Sequence, residues 1–254
     1  MDLGYFEISL DVADIARSLE FYEKLGFEKV EGGVDIRTVT LQKGGCRLGL
    51  YQGYLQPAET QLIFWQGDIP ALAAEVELAG LSFFHGPNYN DTGAAFMLKD
   101  PDDHPIYVIN QKVNYPDQPA YTRPAEPAPR TARGTGPGFG WFIVSLAVVD
   151  LERTVDFYRK LGFELTSRQE RVATLRNKDC TISLYQGIID PDRSQLAFWQ
   201  GDVYAIASDL TAKGLVVERG PTTDAAGDGA ILKDPDGHTI HIINVERLRR
   251  REPA

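Results

Sequence analysis

Near the start of the chain, Phe6, Ile8, Leu10 and Val12 alternate with Glu7, Ser9 and Asp11. A period of two is that of a half-buried strand with one apolar and one acidic face. At Asp14 the period changes. Ile15, Leu19, Tyr22 and Leu25 form a helical stripe, with Asp14 as its cap and Gly26 as its stop. Phe27 to Val30, Ile36 to Gln42 and Cys46 to Tyr51 read as three further strands between glycine turns. Gln61 opens another strand, and Asp68 caps a second helix (Ile69, Leu72, Val76, Ala79) that ends at Gly80. Leu81 to Phe84, Ala94 to Lys99 and Pro105 to Asn110 supply the last strands. The pattern is a strand, a helix and three strands, done twice, with the helices covering one face of a sheet.

The whole plan then recurs. Gln61-Leu62-Ile63-Phe64-Trp65-Gln66-Gly67-Asp68 returns as Gln195-Leu196-Ala197-Phe198-Trp199-Gln200-Gly201-Asp202, seven matches in eight positions at an offset of 134. Phe21 to Glu28 and Phe157 to Glu164 match at an offset of 136, so two residues slip in a surface turn between these stretches. Between the copies, proline and glycine accumulate without periodicity, which marks a linker. The reading is an α+β chain: domain 1 over 1–112, a linker over 113–138, domain 2 over 139–246 and a basic tail over 247–254. The two domains are expected to pack as a pseudo-dimer.

Charge and composition narrow the function classes. A net charge of −10 disfavours nucleic acid and anionic membranes as partners, because both need a positive surface. No signal peptide and no stretch of spanning length is visible, so a cytoplasmic protein is expected. Cys46 and Cys180 occupy equivalent positions and read as separate buried thiols. No Walker loop, CxxC or GxGxxG is present.

Candidate chemistry lies on the strands. Trp65 and Trp199 share a strand face with Gln61 and Gln195, and there they would wall a site for a planar or apolar ligand. Glu7, Ser9 and Asp11 would line that site in domain 1 with negative charge. Ile143, Ser145 and Ala147 leave domain 2 neutral, so a cationic or polyhydroxylated ligand prefers the first copy. His104 and His238 precede the last strand of each copy, where bonding to turn backbone is expected. His85, the counterpart of Arg219, reads as a solvated loop position, and His241 alone among the histidines falls on the ligand face. Asp100-Pro101-Asp102 and Asp234-Pro235-Asp236 read as turns whose aspartates bond local backbone.

The run Val12-x-Asp14-x-x-x-Ser18-x-x-Phe21-Tyr22-x-x-Leu25-Gly26-Phe27, followed by Lys99-Asp100-Pro101-Asp102, resembles the glyoxalase/bleomycin-resistance/extradiol-dioxygenase (vicinal oxygen chelate) superfamily. Val148-x-Asp150, Phe157-Tyr158-x-x-Leu161-Gly162-Phe163 and Asp234-Pro235-Asp236-Gly237 repeat the match. The resemblance implies paired βαβββ units whose sheets curl into a funnel. In metal-using members it implies a divalent ion held from the first strand, the strand opening the second unit and the final strand. Those positions are Glu7, Gln61 and Tyr107 in domain 1, and Ile143, Gln195 and His241 in domain 2. Tyr107 is a poor ligand and Ile143 is none, so neither domain carries a full set. Members that share a funnel between domains would join Glu7, Gln195 and His241, a set able to hold Zn, Fe, Mn or Ni.

The expected function is therefore binding of a small molecule, aromatic or cationic, at a degenerate metal site. Ser9, Asp11, Gln61, Trp65, Tyr107, Gln195, Trp199 and His241 line it. The first alternative is a metal-dependent lyase, isomerase or dioxygenase in which Glu7 doubles as candidate base. The second is a structural or interaction module.

Overall fold

The computed structural model describes the chain except residues 2, 4, 56–59, 66–67, 91–92, 112–139, 190–194, 201, 225–226 and 245–254. At 5, 111, 140, 141, 195, 199, 200 and 224 it describes the backbone alone. The linker expected at 113–138 and the tail expected at 247–254 lie outside the described residues.

The first copy runs β1 (Tyr5–Asp11), α1 (Ile15–Lys24), β2 (Glu28–Gly33), β3 (Thr38–Lys43), β4 (Cys46–Tyr51), β5 (Thr60–Trp65), α2 (Ile69–Leu78), β6 (His85–Asn90), β7 (Gly93–Lys99) and β8 (Pro105–Gln111). The second repeats it as β9 (Gly140–Val148), α3 (Leu151–Lys160), β10 (Glu164–Arg168), β11 (Val172–Asn177), β12 (Cys180–Gln186), β13 (Gln195–Gln200), α4 (Val203–Ala212), β14 (Val217–Asp224), β15 (Gly227–Lys233) and β16 (Thr239–Asn244). Two open eight-stranded sheets result, ordered β2-β3-β4-β1-β5-β8-β7-β6 and β10-β11-β12-β9-β13-β16-β15-β14.

Local chemistry accounts for the element ends. Asp14, Asp68, Asp150 and Asp202 each cap a helix by accepting from backbone N–H groups two or three residues ahead, satisfying donors the first turn leaves orphaned. The two-residue slip sits in the β2–β3 turn. Four residues separate Gly33 from Thr38, whereas three separate Arg168 from Val172 and β10 is one residue shorter than β2. The expected strand over Leu81 to Phe84 does not form. The Leu81 N–H closes the end of α2 on the Val76 carbonyl at 3.0 Å, and the strand begins at His85 instead. His85, expected in a loop, is thus a strand residue, though an exposed one.

Chain contacts divide the molecule into two compact units, and each draws on both copies. Unit 1 takes the described residues of Met1–Ser9, Thr60–Pro127 and Leu146–Asp192; unit 2 takes those of Leu10–Glu59, Ala128–Ser145 and Arg193–Ala254. Unit 1 thus joins most of β1, β5 to β8 and α2 to α3 and β10 to β12, while unit 2 joins α1 and β2 to β4 to most of β9, β13 to β16 and α4.

Both units have the same aromatic core. In unit 1 the Phe6 and Phe64 rings lie 5.4 Å apart, Phe64 and Phe163 6.3 Å, and Phe163 and Tyr158 5.3 Å. In unit 2 Phe142 and Phe198 lie 5.4 Å apart, Phe198 and Phe27 6.2 Å, and Phe27 and Tyr22 5.5 Å. Tilted and edge-on contacts at these distances are the favourable ones for aromatic quadrupoles.

Each unit is also tied by an Asp-Pro-Asp turn from one copy reaching a helix of the other. In unit 2, Asp234 accepts from the Tyr22 hydroxyl at 2.9 Å and lies 2.8 Å from His238 Nδ1, while Asp236 accepts from Ser18 at 2.8 Å and from the Ala13 N–H at 2.9 Å. In unit 1, Asp100 accepts from Tyr158 at 3.0 Å and lies 2.8 Å from His104 Nδ1, while Asp102 accepts from Thr154 at 2.6 Å and from the Val149 N–H at 2.7 Å. The aspartates do bond local backbone, as Asp100 does with the N–H groups of Asp102 and His104 at 2.9 Å each. The two histidines, however, pair their rings with a carboxylate rather than with turn backbone. Burial first, then the adjacent aspartate, holds the Tyr22 and Tyr158 phenols well above their usual range.

Candidate ligand-binding faces

Strand alternation sends Phe6 and Ile8 of β1 into the helix-side core and leaves Glu7 and Ser9 on the other face. Both of those are buried, Glu7 at 1% exposure and Ser9 at 0%. The Ser9 hydroxyl donates to the Glu7 carboxylate at 3.3 Å. On β5, Leu62 and Phe64 share the core side, so Gln61, Ile63 and Trp65 share the opposite face; Gln61 is 6% exposed and Trp65 half-buried. Register carries this face outward: Ile63 pairs with Tyr107, Tyr107 with Met97, and Met97 with His85. Burial raises the Tyr107 phenol above its ordinary value.

The second sheet shows the same row with other residues. Ile143 pairs with Ala197, Ala197 with His241, His241 with Ile231, and Ile231 with Arg219. Ile143 and Ala197 are buried, His241 and Ile231 half-buried, and Arg219 exposed. His241 is held below its usual pKa by burial and, second, by the charge of Arg219, which keeps the imidazole neutral. Gln195 pairs with Ser145 two residues along, and Trp199 pairs with Trp141; the Gln195 and Trp199 side chains lie outside the described residues.

The structure therefore brings Glu7, Ser9, Gln61, Trp65 and Tyr107 together in unit 1, whereas Asp11 belongs to unit 2. It places Gln195, Trp199 and His241 in unit 2. The expected ligand trio of Glu7, Gln195 and His241 draws on both units. Among the described side chains, neither unit's donor set suits a divalent ion. One offers a carboxylate, an amide and a phenol that burial keeps protonated; the other offers His241 beside Ile143 and Ala197. Among the described residues no group of three or more His, Cys, Asp or Glu side chains is placed to hold a metal.

Strand pairing also singles out two residues that sequence reasoning passed over as ligand contacts, Arg219 and Met97. The pairing of Met97 with Tyr107 across β7 and β8 was implicit in the strand alternation. That of Arg219 was not, because register shifts break β14 on either side of it. Cys46 and Cys180 are free and buried, and burial raises both thiols, that of Cys180 far above its usual range.

Residues 139–242 match the model of the Glyoxalase/Bleomycin resistance protein/Dioxygenase superfamily. The second copy thus belongs to that superfamily, the vicinal oxygen chelate proteins, and the chain as a whole has its tandem fold. Homoprotocatechuate 2,3-dioxygenase from Arthrobacter globiformis is similar over 94% of this chain and 78% of its own, at 19% identity and a TM-score of 0.63. A variant of homoprotocatechuate 2,3-dioxygenase from Brevibacterium fuscum, in complex with HPCA, is similar over 93% of this chain and 69% of its own, at 19% identity and a TM-score of 0.62. An extradiol ring-cleaving dioxygenase from the same organism matches to the same extent over 70% of its length. No curated protein sequence matches the chain. Among the described residues no helix is long and apolar enough to cross a membrane.

Proposed function

We propose that the chain is a small-molecule-binding protein and that its first ligand site is the unit 1 face bearing Glu7, Ser9, Gln61, Trp65 and Tyr107. One observation carries this reading: a carboxylate, a hydroxyl and an amide are buried on that face, whereas the second copy puts the apolar Ile143 where the first has Glu7. A buried carboxylate has to be held by partners, as the Ser9 hydroxyl holds Glu7, and such an arrangement in one copy alone points to function rather than architecture. Glu7 would neutralise a cationic group, and Trp65 and Tyr107 would flank an apolar or aromatic body.

The test is titration of the purified chain with benzylamine and with benzyl alcohol, followed by tryptophan fluorescence and calorimetry. Benzylamine should bind more tightly, and Glu7→Gln should weaken it by about tenfold. Indifference of the protein to a broad panel of aromatic and cationic compounds would remove the reading.

A divalent-metal-dependent lyase, isomerase or dioxygenase activity is the second reading, favoured by the likeness to extradiol dioxygenases. Uptake of Zn, Fe, Mn or Ni, lost in His241→Ala, would advance it over the first.

A further inference from the structure

We infer that the matching face of unit 2 is a second, oppositely charged site, at which Arg219 and His241 bind the carboxylate of a small organic acid with an apolar body. This rests on reading the chain as a small-molecule-binding protein and adds the ligand class of its other copy. Arg219, Ile231 and His241 stand side by side on neighbouring strands of one face. Directly paired positions on adjacent strands are about 5 Å apart, so the two polar residues are roughly 10 Å apart at the backbone, a gap an arginine side chain spans. Among the described residues Arg219 has no acidic partner and His241 no hydrogen-bond partner. The adjacent acid, Glu218, is engaged by Lys233 at 3.7 Å.

A guanidinium presents two parallel N–H groups to a carboxylate, and a neutral imidazole N–H supplies a third donor at the far side. Ile231 lies between them, and Ala197 and Ile143 continue the row past His241. That surface suits a hydrocarbon or aromatic body and gives inorganic phosphate little to bury. On the equivalent row of the first sheet, Tyr107, Met97 and His85 replace His241, Ile231 and Arg219, and the buried Glu7 carboxylate would repel an acid.

The experiment is calorimetric titration of the full chain with benzoate, benzamide, inorganic phosphate and benzylamine. Benzoate should bind at least about tenfold more tightly than benzamide or phosphate, and Arg219→Ala and His241→Gln should each weaken it by about tenfold while leaving benzylamine unchanged. Arg219 is exposed, so its variant retains the fold; thermal unfolding of both variants checks this. Benzoate binding no tighter than benzamide, or untouched by Arg219→Ala, overturns the site. If benzylamine still binds in a Glu7-dependent manner while benzoate does not, the unit 2 site alone falls. If neither binds, both readings fall.

Discussion

The two Asp-Pro-Asp joints and the two sheet faces are products of the same duplication, yet one pair is alike and the other is not. At the joints, Tyr22, Asp234 and His238 in unit 2 reproduce Tyr158, Asp100 and His104 in unit 1 to within 0.1 Å in their hydrogen bonds. On the faces, Tyr107, Met97 and His85 stand where the second copy has His241, Ile231 and Arg219. A buried carboxylate with four donors around it tolerates no exchange, because removing any one member strands the rest without water. A sheet face whose neighbours are solvent or ligand is free to change, and in this chain the changes alter the sign of charge.

The largest effect should come from the joints. Asp234→Ala would leave Tyr22, His238 and two backbone N–H groups without their acceptor, and about 3–4 kcal/mol of unfolding free energy should be lost in a denaturant titration. Asp100→Ala should cost nearly as much, slightly less because His104 is more open than His238. A difference above about 2 kcal/mol between them would break the equivalence of the joints.

A smaller effect separates the two helix ends. Lys43 donates to the Leu25 carbonyl at the end of α1, while its counterpart Asn177 donates to the Gly162 carbonyl at 3.2 Å past the end of α3. Burial, and then the charge of Lys213, pulls the Lys43 amine down to about 8 from 10.5. The folded chain therefore holds fewer protons than the unfolded chain between these values, and stability rises with pH across that window. With solvent screening the gain should be about 1 kcal/mol relative to Lys43→Asn, measured as the difference in unfolding free energy at pH 7 and pH 10.

The faces should show the least. Arg219→Ala should change stability by under about 0.5 kcal/mol, and Glu7→Ile, which installs the residue of the other copy, should be neutral or gain about 1 kcal/mol. A loss above about 2 kcal/mol in Glu7→Ile would make that carboxylate a structural element and weaken the proposed site.

Local signals made most of the fold legible. The alternation from Phe6 to Val12 gave β1 and its two faces, and the aspartates at 14, 68 and 150 marked helix starts that the capping hydrogen bonds bear out. The stretch from Leu81 to Phe84 misled because its apolar residues follow a helix end that claims the Leu81 backbone. The joints escaped notice for another reason. Asp234 and Tyr22 are 212 residues apart, and no local pattern reports a hydrogen bond over that separation. The faces were legible on β1 and β5, where the period of two is clean, and at Tyr107 and His241 on β8 and β16. Arg219 was lost because two irregularities in β14 disrupt that period around it.

The interleaved make-up of the units bears on how the chain is made. Unit 1 needs segments that end at Asp192, and unit 2 needs segments beyond it. A nascent chain leaving the ribosome cannot finish either unit when its first repeat has emerged, unlike proteins whose N-terminal domain folds as a unit during synthesis. The first repeat must wait, with part of its apolar surface uncovered, until α3 and the strands after it arrive.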